Sequence, residues 1–448
     1  MKYTTTRNND AQKSFSEIVC LSNASCGGLY IPSEIPTLKK SDFAGLSYSK
    51  IAEKIIRIFT EIPQNEIGDI VEKSIKSFEI SEFFAEKNLG ENLRIVELFH
   101  GPTLSFKDYP MQFLGNIVEY ILGKSGGKLN ILTATSGDTG SAAIHAFANK
   151  ENVKIVVLHP KGKVTEFQRK QMTTCQAGNV MNIAIDGTFD DCQAIVKSIT
   201  NSPLAKERNI STVNSINWGR IMMQMVYYIK LLEYEQNANI FVPTGNFGNI
   251  FACYFLKKCG FEGIGEMFVS NNENNVIFTT HNTGIMENKK SVATISPAID
   301  IAIPSNFERM LYIESGFDAE KIAEIYMKIK GQAVELPVDI WQNFRNHFDA
   351  SSITNNETLS AIRKCYDDFG YVIDPHTAVS YAHFGKSGVK NGVIISTAHP
   401  CKFENAVFDA IGVKSQIPKS NKGVVEGEEK LEFSSFENAK DVILGFFG

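Results

Sequence analysis

From about residue 91 onward, short apolar runs alternate with stretches of helical periodicity. The runs fall at Leu93–Phe99, Leu129–Thr133, Val153–Leu158, Val180–Ile185, Ile240–Val242 and Val393–Ser396. Helical stretches such as Ile144–Asn149 and Ile221–Leu232 separate most of them. Strands that alternate with helices build βαβ units, so the pattern predicts an α/β fold with mainly parallel sheet. It also predicts where a ligand would sit. His100-Gly101-Pro102 follows the run ending at Phe99, and Thr135-Ser136-Gly137-Asp138-Thr139-Gly140 follows the one ending at Thr133. Thr244-Gly245-Asn246-Phe247-Gly248-Asn249 follows Val242, and Thr397-Ala398-His399-Pro400 follows Ser396. Open α/β sheets bind ligands outside the carboxyl ends of their strands, so four polar motifs converge on one rim.

The strongest chemical signal is Lys107, between Phe106 and Asp108 in the string His100-Gly101-Pro102-Thr103-Leu104-Ser105-Phe106-Lys107-Asp108. A buried lysine loses its proton, because burial disfavours the ammonium form, and can then form a Schiff base with an aldehyde. Pyridoxal phosphate is the usual aldehyde partner. The plainer reading is a loop lysine paired with Asp108. Gly245 to Asn249 forms a compact loop leading into a helix, which suits a phosphate; a simple helix cap is the alternative. Ser136 to Gly140 has the same two readings, with a carboxylate or phosphate as guest. Asn214-Ser215-Ile216-Asn217-Trp218-Gly219-Arg220 combines hydrogen-bonding side chains with an arginine fork suited to phosphate oxygens. Its alternative is a surface arginine on the helix that carries Met222, Met223 and Met225, which read as core filler.

Other motifs fall away. Gly123-Lys124-Ser125 resembles the end of a P-loop, but Val118 stands where the first glycine is required. Gly263-Ile264-Gly265 lacks the third glycine of a dinucleotide fingerprint, since Phe268 occupies it. His145 and His347 read as structural, and His399 as shaping the site without a catalytic role. Net charge is −5, without the basic stripe that nucleic acid requires. No apolar run reaches the length of a membrane span, and the polar start lacks a signal-peptide core. The eight cysteines form no CxxC pair, which fits reduced thiols in the cytoplasm and argues against zinc.

Residues 1–90 read as a separate, mostly helical cap. Ile51, Ile55, Ile58 and Phe59 recur at helical spacing, as do Ile67, Val71, Ile75 and Phe78. Gly27-Gly28 reads as a turn before a short extended piece at Tyr30-Ile31-Pro32. Residues 91–412 read as the core. Residues 413–448 read as a surface-docked appendage with a last helical patch ending Val442-Ile443-Leu444.

Taken together, these strings resemble the threonine synthases, pyridoxal-phosphate enzymes of the tryptophan-synthase-β type of fold. The likeness runs from Thr5-Thr6-Arg7 to about Phe403 and includes Asp374-Pro375-His376-Thr377-Ala378. It implies two open, mainly parallel α/β lobes with the active site between them, and conversion of O-phospho-L-homoserine and water to L-threonine and phosphate. It implies no nucleic-acid, membrane or protein partner. By the same resemblance Lys107 is the Schiff-base lysine, and Gly245, Asn246, Phe247, Gly248 and Asn249 cradle the cofactor phosphate. Thr397 partners the pyridine nitrogen. Thr135, Ser136 and Asp138 lie where the substrate carboxylate or the cofactor's phenolic oxygen is held. Ser215, Asn217 and Arg220 are the candidates for the substrate's phosphate. Ser105, Gly219 and Cys401 stand where the family usually has alanine, and Cys26 where it often has aspartate. A threonine or serine dehydratase would lack the His100–Asp108 string in this form and the Asn214–Arg220 grip. A non-catalytic threonine-synthase-like binding protein would be signalled by loss of Lys107, which is present.

Overall fold

The structure is a computed structural model that describes residues 1–21, 24–80 and 83–448, with residues 9–11 described by backbone alone. Two sheets organise it. One has six strands in the spatial order Phe348–Ser352, Gly263–Asn271, Asn237–Pro243, Gly392–Ser396, Leu93–Glu97, Ala85–Leu89. All its neighbours run parallel except the edge strand Ala85–Leu89, which is antiparallel to Leu93–Glu97. The other is parallel throughout, in the order Glu432–Ser434, Val180–Ile185, Val153–Pro160, Leu129–Ala134, Ile210–Ser211. Ile131, Leu132, Ile155, Val156 and Ile183 have no exposure. Strands covered on both faces read as near-continuous apolar runs, which is why these were visible in the sequence.

The N-terminal segment joins its helices to a small sheet. It contains the helices Tyr48–Phe59 and Gln64–Ile75, the first capped by Ser47, whose side chain accepts from Lys50 N. Ile51, Ile55 and Phe59 are buried as their spacing predicts, with Ile56 rather than Ile58 completing the inner face. But Tyr3–Thr5 also pairs antiparallel with both Asn8–Lys13 and Tyr30–Pro32 in a small sheet. The Arg7 guanidinium grips Glu308 at 2.7 Å, and Thr6 donates to the same carboxylate. Fully buried Arg309 donates to Tyr30 O at 2.7 Å and Ile216 O at 2.6 Å. The N-terminal segment is thereby pinned to two pieces of chain that border the site.

The C-terminal tail docks along the edge of the second sheet. Glu432–Ser434 adds a strand beside Val180–Ile185, and the helix Ala439–Phe447 buries Ala439, Ile443 and Phe447 against Ile195 and Ile199. Arg208 and Lys154 donate to the carbonyls of Leu444 and Phe446 at 2.9 Å, so cations satisfy the helix end.

The helices Asp108–Ser125 and Asp138–Phe147 carry Lys107 and Asp138 at their starts, and they touch at Gly115. A Cβ there would lie 2.4 Å from Ala146 O, which is backbone and cannot swing aside. Gly115→Ala is therefore expected to cost about 1–3 kcal/mol by overpacking, read from denaturant unfolding. An unchanged midpoint would show that the two helices can part freely.

Candidate active site

A cavity of about 610 Å³ lies between the sheets, within the size range of small-molecule sites. Its walls come from chain that follows strand ends: Thr135 and Ser136, Pro160, Gly245 to Ile250, and Thr397. Phe106 and Lys107 complete that rim.

Lys107 is 9% exposed and opens the helix Asp108–Ser125. Its Nζ lies 3.5 Å from Asp138 Oδ2 and 4.8 Å from the centre of the Phe106 ring. The predicted alternative, pairing with Asp108, does not occur. Asp108 turns the other way and accepts from Thr103 N at 2.8 Å and Thr103 Oγ1 at 2.7 Å. Burial pushes the Asp108 carboxyl up to about 6 against those bonds. Burial also lowers Lys107 from the ordinary lysine range; Asp138 opposes this, while Lys402 and Arg220 add to it. Asp138 itself would be raised by its burial, but Lys402 and Lys107 hold it well below the usual carboxylate range.

Gly245 to Asn249 enters the helix Gly248–Lys258 through Phe247, whose backbone is left-handed at φ 63°. A non-glycine residue pays for that conformation, and such strain clusters at ligand clamps. The Phe247 ring is buried against Phe307 and Phe348, so only its backbone serves the loop. Backbone donors in a helix's first turn lack intrahelical acceptors and point outward. Asn249 Oδ1 accepts from Tyr227 and Tyr228, both at 2.7 Å, while its buried Nδ2 has no partner. Gly245 is the tighter glycine of the loop: a Cβ there would stand 2.9 Å from Ile299 Cα and 3.0 Å from Ala298 O. At Gly248 the nearest atom is Asn306 Nδ2 at 3.2 Å, a looser approach, though that amide is held by bonds to Ser215 O and Asn246 O.

Arg220 is 2% exposed and lines the cavity. It donates to Val213 O at 3.1 Å, but among the described residues its Nε is unpaired and no carboxylate faces it. Burial alone lowers it to about 10, with Tyr227 opposing weakly. Ser215, half-buried, lines the same cavity. Asn217 does not join them. Its Oδ1 caps the helix Trp218–Leu231 by accepting from Gly219 N at 2.9 Å, and its Nδ2 donates to Val19 O at 2.8 Å. Thr135 Oγ1 likewise accepts from Gly137 N and Gly140 N at 2.9 Å, shaping its loop from within, whereas Ser136 faces the cavity with its hydroxyl unpaired. Thr397 lines the cavity too; its carbonyl accepts from Phe106 N at 2.9 Å, which ties it to the Lys107 string, and its hydroxyl takes no protein partner.

Three contributors escaped the sequence reading. Lys402 reaches Asp138 from the turn Pro400–Phe403. His376, from the string given no role above, lines the cavity; its Nε2 accepts from Ala298 N at 3.0 Å, which leaves Nδ1 to donate to Asp374 at 2.7 Å. The irregular segment 291–301 closes one wall and is anchored by Asp300, which accepts from Thr294 Oγ1 at 2.6 Å and Asn272 Nδ2 at 2.7 Å. His399 packs edge-on to Phe99, and burial lowers it to about 4; it lies behind the rim, not in the cavity.

Small residues at the departures fit their surroundings. Ser105 Oγ accepts from Lys107 N at 3.3 Å, and Cys401 packs with Leu104 and Phe167. A Cβ on Gly219 would lie 3.0 Å from Leu114 Cδ1 and 3.1 Å from Asn217 Oδ1, so alanine would be tight here. Cys26 Sγ lies 3.4 Å from Thr5 Oγ1.

A buried lysine, a strained loop opening a helix, an unpaired amide donor and a free hydroxyl on one cavity fit pyridoxal phosphate. A family model described as "Pyridoxal-phosphate dependent enzyme" matches residues 79–397, which fixes that class. Models described as "Threonine synthase N terminus" and "Threonine synthase, C-terminal" match residues 2–75 and 377–443. The threonine synthase of Pseudomonas aeruginosa is 35% identical, over 98% of this chain and 97% of that protein. The pyridoxal-phosphate-bound threonine synthase structure from Brucella melitensis is 34% identical with a TM-score of 0.95, covering 100% of this chain and 99% of that one. For the yeast threonine synthase structure the values are 34% and 0.91, with 99% of each chain covered. The chain belongs to the threonine synthase family; it is a lyase with that activity, and pyridoxal phosphate is its cofactor.

Proposed function

We propose that the cavity takes O-phospho-L-homoserine and water and releases L-threonine and phosphate. The observation that carries this reading is Arg220: a buried cation that faces no carboxylate among the described residues, with an unpaired Nε, on the same cavity as the Gly245–Asn249 loop. Two separate anion grips suit a phosphorylated substrate beside a phosphorylated cofactor. The loop, with Asn249 Nδ2, would hold the cofactor phosphate, Lys107 would attach the cofactor, and the Thr397 hydroxyl would serve as a hydrogen-bond partner for its ring. When bound, pyridoxal phosphate supplies the electron sink that makes protons next to the amino-bearing carbon removable.

The chain's own groups do the rest. The Lys107 amine, once free, takes and returns protons at the α and β carbons. Asp138 and Ser136 orient the cofactor oxygen and the substrate carboxylate, with Thr135 shaping that loop. Arg220 and Ser215 hold the departing phosphate, stabilising charge as it develops. Asn217 contributes by capping the helix that carries Arg220. The proposed division is a cap over residues 1–90, a core over 91–412 and a tail over 413–448, with the strand Ala85–Leu89 of the cap range joined to the core sheet. Eight unpaired cysteines support a cytoplasmic setting, and among the described residues no helix is long and apolar enough to cross a membrane.

Phosphate release from O-phosphohomoserine is expected to exceed deamination of threonine or serine by orders of magnitude in purified enzyme. Dominant deamination would replace this reading with a dehydratase.

A further inference from the structure

Two lysines share one carboxylate at the heart of the site. Lys402, whose side chain has no exposure, lies 2.8 Å from Asp138 Oδ1 and donates to Thr103 O at 2.7 Å. Gln168 Nε2 adds a third fixed contact, to Asp138 Oδ1 at 2.8 Å. Lys107 reaches only the other oxygen, at 3.5 Å. In this competition Lys402 holds the better geometry, since charge-assisted bonds are strongest at about 2.7–2.9 Å. Lys107 is left as a desolvated cation with half a partner.

The groups that face it are few and come from separate elements. Asp138 stands at the start of the helix Asp138–Phe147, Lys402 on the turn Pro400–Phe403, and Arg220 on the helix Trp218–Leu231. His376, from the helix Pro375–Ser387, acts on Asp138. Asp108, next in the chain, is turned away to Thr103. The Phe106 ring covers one side. Thus one carboxylate answers two lysines, and the less firmly held of the two is the one that must lose a proton to act.

We propose that Lys402 is a positioning residue that occupies Asp138 and thereby keeps the Lys107 amine unprotonated and reactive near neutral pH. The proposal rests on the reading of Lys107 as the cofactor-attaching amine. A free amine adds to an aldehyde carbon and water leaves; an ammonium cannot begin that step. Lys402 would thus set the pH at which the enzyme can load its cofactor, without touching substrate.

The test measures the proton state of Lys107 directly, apart from turnover. The full chain, freed of cofactor, is trace-labelled with acetic anhydride across a pH series, and the Lys107 peptide is quantified by mass spectrometry. In that reaction the amine nitrogen bonds to the acyl carbon, acetate leaves and the proton passes to solvent. Wild-type Lys107 is expected to label with a midpoint below that of an exposed lysine. Lys402→Met should raise the midpoint by about one pH unit or more, lowering labelling at neutral pH about tenfold. Lys402→Arg should hold it near wild type. Asp138→Asn, which removes the attraction instead, should lower the midpoint, and it keeps the test decisive if Lys402→Met does not fold. A wild-type midpoint equal to that of exposed lysines, or a Lys402→Met profile superimposed on wild type in folded protein, would overturn the proposal. A borohydride adduct on another lysine would overturn the cofactor reading of Lys107 without altering these profiles, so the two failures are distinguishable.

Discussion

Lys107→Ala is expected to leave a folded protein that no longer holds pyridoxal phosphate covalently and whose threonine formation falls by at least about 10⁴-fold. The size follows because one amine serves as both attachment point and acid–base group, so neither role has a substitute. The fold should survive. The Lys107 side chain makes one long polar contact, at 3.5 Å to Asp138, so little holding energy is lost with it. Absorbance of the bound cofactor, threonine formation and thermal melting read the three quantities separately. A variant that keeps a covalently attached cofactor would show that another residue carries it.

The second large effect separates the two anion grips. Arg220→Ala is expected to cost about 2–5 kcal/mol in substrate binding and elimination, the range for removing one partner of a buried charge pair. Cofactor content should stay nearly whole, because the Gly245–Asn249 loop is built from other residues. Gly245→Ala should do the reverse. Its new Cβ would meet backbone at 2.9 Å and 3.0 Å, so either the loop or the segment 297–301 must shift and the cradle opens. Gly248→Ala is a milder change, because its nearest neighbour stands farther off, at 3.2 Å. Cofactor content from absorbance and phosphate release at saturating cofactor distinguish the variants. An Arg220→Ala protein emptied of cofactor but unchanged in substrate affinity would mean the two grips are exchanged.

Much of this was legible before any coordinates, and the reason is physical. Buried parallel strands such as Val180–Ile185 are apolar without interruption, and polar strings that end them must line a rim. The misses share a cause as well. Gly263–Asn271 has glycine at its first and third positions and carries Glu266, Ser270 and Asn271, so its local pattern is weak; its neighbours make it a strand. Phe348–Ser352 is a polar edge strand, where one side needs no apolar cover. Glu432–Ser434 gains its strand character wholly from pairing with Val180–Ile185. Local pattern cannot report such tertiary rescue.

At the site, sequence order hid the partnerships. Lys107 and Asp108 are adjacent and opposite in charge, yet the chain turns so that Asp108 faces Thr103 while Asp138, from another motif, faces Lys107. Lys402 sits two residues past the recognised Thr397–Pro400 string and carries no local sign of burial; the ion pair that makes its burial tolerable spans the two lobes. Asn217 shows the converse. Its neighbours Ser215 and Arg220 reach the cavity, but helix geometry turns its amide to Gly219 and Val19. Motif membership alone did not tell a ligand-facing group from a cap.

The most direct measurement is borohydride reduction of the yellow, cofactor-loaded protein followed by proteolysis and mass mapping. The account predicts one stable adduct, on the peptide that contains Ser105-Phe106-Lys107, and none in Lys107→Ala. An adduct on any other lysine, Lys402 included, would contradict it.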